Sequence, residues 1–302
     1  MPILTIFGAT GQQGSAVLKA VLADGTFTPR AVSRNPDSDA AKALKAKGIE
    51  VVKGDLFDLE SLKGAIKGSE AVFGVTNFWD PSVFPGTPNG IGEVEQGKNL
   101  VNAAKAEGVK FFVWSGLPSS KTLSKGKYPT IYHIDHKATV WEYLKSSGVP
   151  SAALDTGYFV DNLWTFALQK TDTGYIIPVP NYTAEATQTF TWTRDIGSAA
   201  VALLRNYADP SKNILGKAFP VVTAIMTYPE VAAKISAAIK KEVTFAHAET
   251  AGIAELDEMY AYQADIGMYR DVPVPNPELV ALGATFGTID KAIAVEIVPR
   301  YS

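Results

Sequence analysis

The chain has 302 residues, 46% of them hydrophobic and 20% charged, with a formal net charge of −3. That is the make-up of a folded globular protein with a substantial core, and its slight acidity supplies no basic field for a nucleic-acid backbone, so direct nucleic-acid binding is not expected. Cysteine is absent, which excludes disulfides, thiolate nucleophiles and zinc–cysteine sites, and no apolar run approaches the roughly 18 residues of a membrane span.

The first apolar run, "PILTIF", has no basic segment before it and reads as a strand rather than a signal peptide. The expectation is a soluble, cytoplasmic protein, with the nucleus also open to it. Next comes "GATGQQG", with Gly8, Gly11 and Gly14, and then the helical stretch "SAVLKAVLADG". Gly8 permits a tight turn, Gly11 lets a pyrophosphate approach the backbone, and Gly14 lets the helix pack closely on the sheet. The N–H groups at the helix start, with the positive end of the dipole behind them, then face an anion. Alone, this spacing fits a structural turn equally well.

The pattern then repeats. "TPRAVSR", "IEVVKGD", "EAVFGVT", "VKFFVWSG" and "SAALDTG" read as strands, and the segments between them as helices. Near-continuous apolar strands alternating with helices predict an α/β Rossmann-type, doubly wound parallel sheet over residues 1–157. Beyond Gly157 the alternation weakens, which predicts a smaller mixed α/β lobe over 158–302, with an approximate boundary that the chain is free to cross again. Two loops, 77–92 and 117–131, are long for βα connections, and each is either functional or a surface insertion.

Strand order assigns the cofactor contacts. The second strand ends in Ser33 and Arg34 rather than an acid, so the planar fork of Arg34 can pair with a 2′-phosphate, and NADP(H) is expected over NAD(H). Asp55, with Leu56 beside it, ends the third strand near the adenine, though Asp55 can equally cap the helix that follows. Thr76 and Asn77 end the fourth strand near the nicotinamide ribose, and Thr10, Gln12 and Gln13 complete the glycine turn.

The motifs "GATGQQG", "VSRNP", "KGD", "GVTNFW", "WSGL" and "HIDHKATVWEYLKSSGVP" together resemble the NmrA-like family of atypical short-chain dehydrogenases/reductases, from the first strand to about residue 165. The resemblance implies an NADP(H)-binding N-terminal lobe and a family divided between active reductases and regulators that bind other proteins. Conventional members of the superfamily carry a Tyr four residues before a Lys on one helix face. Here Lys137 is preceded at that distance by His133, while Tyr132 is five residues away and about 140° around the helix.

Lys137 is the best catalytic candidate and also a cofactor contact. His133 suits a general acid, because an imidazole titrates near pH 6.5 (about), or it merely opens the helix. Ser115 stands where the superfamily's substrate-orienting Ser is expected, or it satisfies a backbone group. The resemblance also places Tyr158, Phe159 and Asn162 at the nicotinamide face. His136 and His247 have no partner at ligand spacing, so no metal is expected. Asp195, or Thr193, is expected to cap the helix "RDIGSAAVALLRN".

An intact cofactor turn beside an incomplete catalytic pair favours an NADP(H)-binding redox sensor or regulator, in the manner of transcriptional regulation through a protein partner. The alternative is an NADPH-dependent oxidoreductase acting on a small carbonyl or enone. An open, apolar cleft beyond the cofactor separates the two.

Overall fold

A computed structural model describes residues 1–301. Six strands follow one another with helices between them: β1 (Ile3–Ile6), α1 (Gln12–Asp24), β2 (Thr28–Ser33), α2 (Asp39–Lys45), β3 (Glu50–Lys53), α3 (Leu59–Ile66), β4 (Ala71–Gly74), α4 (Gly92–Ala106), β5 (Phe111–Gly116), α5 (Ser120–Leu123), α6 (Tyr132–Ser147) and β6 (Ser151–Thr156). Every residue of β4, β5 and β6 is buried, because helices cover both faces of the sheet. Local chemistry sets the helix ends. Ser38 and Asp58 cap α2 and α3 through their side chains, and Gly25 and Gly148 close α1 and α6 in the left-handed region.

The second part begins with β7 (Tyr158–Phe159), β8 (Gln169–Lys170), β9 (Gly174–Pro180) and β10 (Thr187–Thr191), and continues through α7 (Thr193–Asn206) and β11 (Ala218–Val221). After these come β12 (Ala224–Thr227), α8 (Tyr228–Ile239), β13 (Glu242–Ala248) and α9 (Ala254–Asp265). The large sheet runs β11-β6-β5-β4-β1-β2-β3, all parallel, and two three-stranded sheets, β12-β10-β7 and β13-β9-β8, form the smaller part.

The chain crosses back after Gly157. The segment "KAFPVV" supplies β11, the parallel neighbour of β6, and α7 packs against α1 beneath the sheet. That helix contact is backbone to backbone: a Cβ on Gly197 would stand 2.5 Å from Ala16 O. Asp195 does not cap α7. Asp161 accepts from the Thr193 N–H and hydroxyl, while Asp195 is turned inward to accept from Thr223 Oγ1 at 2.6 Å and Gly287 N at 2.9 Å.

Strand order reverses between β1 and β4, which lie side by side while their helices leave to opposite faces. A crevice therefore opens beyond their C-terminal ends. Among the described residues, no helix is long and apolar enough to cross a membrane.

Candidate functional site

The glycine turn joins β1 to α1. Gly8 has φ +64°, and a Cβ on Gly14 would stand 2.2 Å from Gly8 O, so the helix start lies against the turn at a distance only glycine allows. α1 has no side-chain cap and no acidic residue in its first turn. Its leading N–H groups and the dipole are thus uncontested by negative charge, and they border a cavity of about 520 Å³ lined by Gly8, Thr10, Gly11, Gln12, Gln13 and Gly14. This arrangement fits a dinucleotide pyrophosphate.

Ser33, Arg34, Asp55, Leu56, Thr76, Asn77 and Phe159 line the same cavity. Asp58, not Asp55, caps α3; the Asp55 carboxylate accepts from Phe57 N at 3.0 Å. The Ser33 hydroxyl turns to the Asn35 carbonyl at 2.9 Å. Arg34 reaches across the cavity mouth, its Nη1 2.6 Å from Asp80 Oδ2 in loop 77–92. The Ser82 hydroxyl foremost, with Arg34 assisting, holds the Asp80 carboxyl below its ordinary range against the opposing effect of burial. Arg34 itself is two-thirds exposed, with its remaining donors available to a phosphate.

A second cavity, of about 640 Å³, meets the first at Gln12, Gln13, Thr76, Asn77 and Phe159. Its walls are largely aromatic and aliphatic. Phe78 and Trp79 come from loop 77–92, Leu117 from the start of loop 117–131, and Tyr158, Phe166, Met259 and Tyr260 from the smaller part. Asn162 and Tyr260 lie on the wall with Tyr158. His133 and Lys137, one turn apart on α6, face this space. Tyr132 lines neither cavity and packs on the His136 ring at 5.6 Å.

Lys137 is nearly enclosed. Its ammonium donates to Glu93 Oε1, which also accepts from Thr76 Oγ1 at 2.7 Å, and Glu93 has no solvent exposure. His136 Nδ1 lies 3.9 Å from the other Glu93 oxygen, and burial pushes its pKa down. The His133 ring approaches Glu255 Oε1 of α9 through Nδ1, at 2.5 Å. Ser115 lines neither cavity; buried beneath the turn, its hydroxyl donates to Gln13 Oε1 and so orients a residue shared by both. Among the described residues, no three of His, Cys, Asp and Glu converge as a metal site.

Three acids at the site escaped the sequence reading. Glu93 lies in the buried stripe of α4 with Gly97, Leu100, Val101 and Ala104; an acid at that register is a legible signal. Asp80 and Glu255 carry none, since their partners lie 46 and 122 residues away.

A parallel sheet that reverses order at a glycine-rich turn and an uncapped helix start defines a Rossmann-type dinucleotide-binding fold. The chain belongs to the NmrA-like family, whose model matches residues 2–298. The NmrA-like family domain-containing oxidoreductase lnbB of Aspergillus flavus is 31% identical over 303 residues, covering 93% of this chain and 89% of that protein. The corresponding oxidoreductase notA of Aspergillus sp. is 40% identical over 146 residues, 48% of this chain and 42% of its own, so that match spans less than half of the relative. A crystal structure of NmrA, a negative transcriptional regulator, in complex with NADP is 17% identical with a TM-score of 0.77, covering 99% of this chain and 95% of that one.

Proposed function

We propose that the protein is an NADPH-dependent reductase of a small, uncharged, conjugated or aromatic carbonyl or enone compound. The observation that carries this reading is the second cavity, an apolar space that opens directly from the dinucleotide cavity and has Lys137 and His133 on its wall. A sensor has no need of such a space. The sequence alone placed a redox-sensing regulator first; the open cavity favours the enzyme instead. The absence of cysteine fits a reducing compartment, which we take to be the cytoplasm.

NADPH, when bound, supplies a hydride. The chain's own residues do the rest. Gly8, Gly11 and Gly14 bring the α1 N-terminus to the pyrophosphate, and Arg34 meets the 2′-phosphate. The aromatic walls exclude water and orient a flat substrate. Lys137, paired with the buried Glu93, serves as a fixed polar group on the wall of the second cavity rather than as a free base. The oxidoreductase names of the Aspergillus relatives agree with this reading.

The test is transfer of label. Purified protein is incubated with NADPH deuterated at the transferable position and a panel of aldehydes, ketones, quinones and enones, and products are read by mass spectrometry. Deuterium in a product, with an equal amount of NADP⁺ formed, is expected. Tight NADPH binding with no label in any product contradicts the reductase and returns the weight to regulation.

A further inference from the structure

A reduction that ends in an alcohol needs a proton as well as a hydride, and His133 occupies the place on α6 where the superfamily's Tyr is missing. Its ring is fixed on three sides. Phe78 and Trp79 pack against it, with centroids at 5.7 and 5.4 Å, and Nδ1 lies 2.5 Å from Glu255 Oε1. The same oxygen accepts from the His133 backbone N–H at 2.8 Å, and Glu255 Oε2 is buried with no hydrogen-bond partner. A carboxylate only accepts, so Nδ1 carries the hydrogen toward Glu255. Among the described residues, no hydrogen bond reaches Nε2.

Glu255 is itself held in place. Two further acids of α9 grip the chain just ahead of His133: Glu258 accepts from Thr130 N at 3.0 Å and from its hydroxyl, and Asp265 accepts from Lys127 Nζ at 2.7 Å and Tyr128 OH at 3.0 Å. The long loop 117–131 is thereby tied to α9 along its final residues. An exposed carboxylate that happened to meet an imidazole would not be supported in this way. The other groups near the ring are Lys137 one turn on, which pairs with the buried Glu93, and His136, whose Nδ1 lies 3.9 Å from Glu93 without a hydrogen bond.

We propose that His133 and Glu255 form the proton-donating pair of the reduction, with His133 as the catalytic acid acting through Nε2 and Glu255 as its positioning residue. This rests on the reductase reading. In the balanced step, the substrate's carbonyl carbon gains the hydride with its electron pair, the C=O π bond breaks, and the oxygen takes the proton from His133 Nε2. The products are an alcohol and NADP⁺, and the neutral imidazole regains its proton from water. Glu255 accepts from both the His133 backbone and Nδ1, and so fixes the ring's tautomer and orientation. Lys137 is less suited to this part, because its ammonium is held against the buried carboxylate of Glu93.

The competing role is structural: Glu255 does no more than accept the His133 N–H at the start of α6. Glu255→Gln separates the two, since an amide oxygen still accepts both hydrogen bonds while the charge is lost. With the cofactor-loaded protein, kcat, KM and their pH dependence are measured for a reducible carbonyl compound from the panel, together with NADPH Kd and Tm, in the wild type, Glu255→Gln and His133→Asn. ¹⁵N-histidine spectra of the cofactor-loaded protein, assigned by His133→Asn among only three histidines, report which ring nitrogen is protonated.

Glu255→Gln is expected to lower kcat about 10- to 100-fold, with KM, NADPH Kd and Tm nearly unchanged. His133→Asn is expected to lower kcat by about 100-fold or more, and the wild-type spectrum to show hydrogen on Nδ1. Turnover that survives both substitutions within about twofold, or a ring with Nδ1 unprotonated, overturns the proposal while leaving the reductase intact. A wild type that turns over no compound overturns both.

Discussion

Lys137 and Glu93 form an ion pair behind the wall of the second cavity, with Lys137 almost enclosed and Glu93 wholly so. Two charges removed from water tolerate each other, but neither tolerates the loss of its partner. Lys137→Met is therefore expected to cost about 3–5 kcal/mol of stability in addition to activity, and Glu93→Gln on its own a comparable amount. The double variant Lys137→Met/Glu93→Gln recovers most of the loss. Urea unfolding of the three proteins checks this; additive losses in the double variant contradict it.

The Arg34–Asp80 bridge predicts cofactor preference. Arg34→Ala removes the group proposed to meet the 2′-phosphate, so NADP(H) affinity is expected to fall about 10- to 100-fold, the worth of one charge-assisted contact. NAD(H) affinity is expected to change by less than about twofold, because that cofactor lacks the phosphate. Fluorescence titration with both reduced cofactors reads the difference directly.

Gly14→Ala places a methyl group against Gly8 O, where the available distance is 2.2 Å. The turn must open or α1 must move, and either change spoils the cradle. NADPH binding is expected to be lost under conditions where Gly64→Ala, a substitution in α3 with open space around it, binds normally.

Much of this was legible in the sequence. The six strands β1 to β6 are apolar runs separated by helix signals, and the glycine turn marks the switch point before any coordinate is known. The residues assigned to the dinucleotide, from Gly8 through Asn77, converge because a parallel sheet gathers the C-terminal ends of its strands at one edge. β11 and α7 were visible as elements but not as members of the large sheet, since pairing with β6 leaves no mark on their own periodicity. Asp195 misled because an acid in the first turn of a helix resembles a cap, while its carboxylate is drawn to Thr223 and Gly287, distant in sequence. Glu255 had no local signal at all.

Burial pushes the Asp155 carboxyl, at the end of β6, up to about 7. Its proton is held more tightly in the folded chain than in the unfolded one, where a carboxyl titrates near pH 3.9 (about). The stabilisation is therefore complete below pH about 4 and is lost as pH rises through about 7. Asp155→Asn is expected to flatten this decline and to be the more stable protein at pH about 8. Urea unfolding of both proteins at pH about 5 and about 8 tests the sign. A wild type that gains stability over that interval relative to the variant contradicts it.

The apolar cavity that opens from the dinucleotide cavity is proposed to be the substrate site. The most direct measurement is steady-state NADPH oxidation by the purified protein across conjugated and aromatic carbonyl compounds, with Trp79→Ala alongside. Saturable turnover of at least one compound is expected, with a raised KM in the variant, whose cavity has lost an aromatic wall, and NADPH affinity unchanged. Tight NADPH binding without turnover of any compound, or a KM indifferent to Trp79, would contradict it.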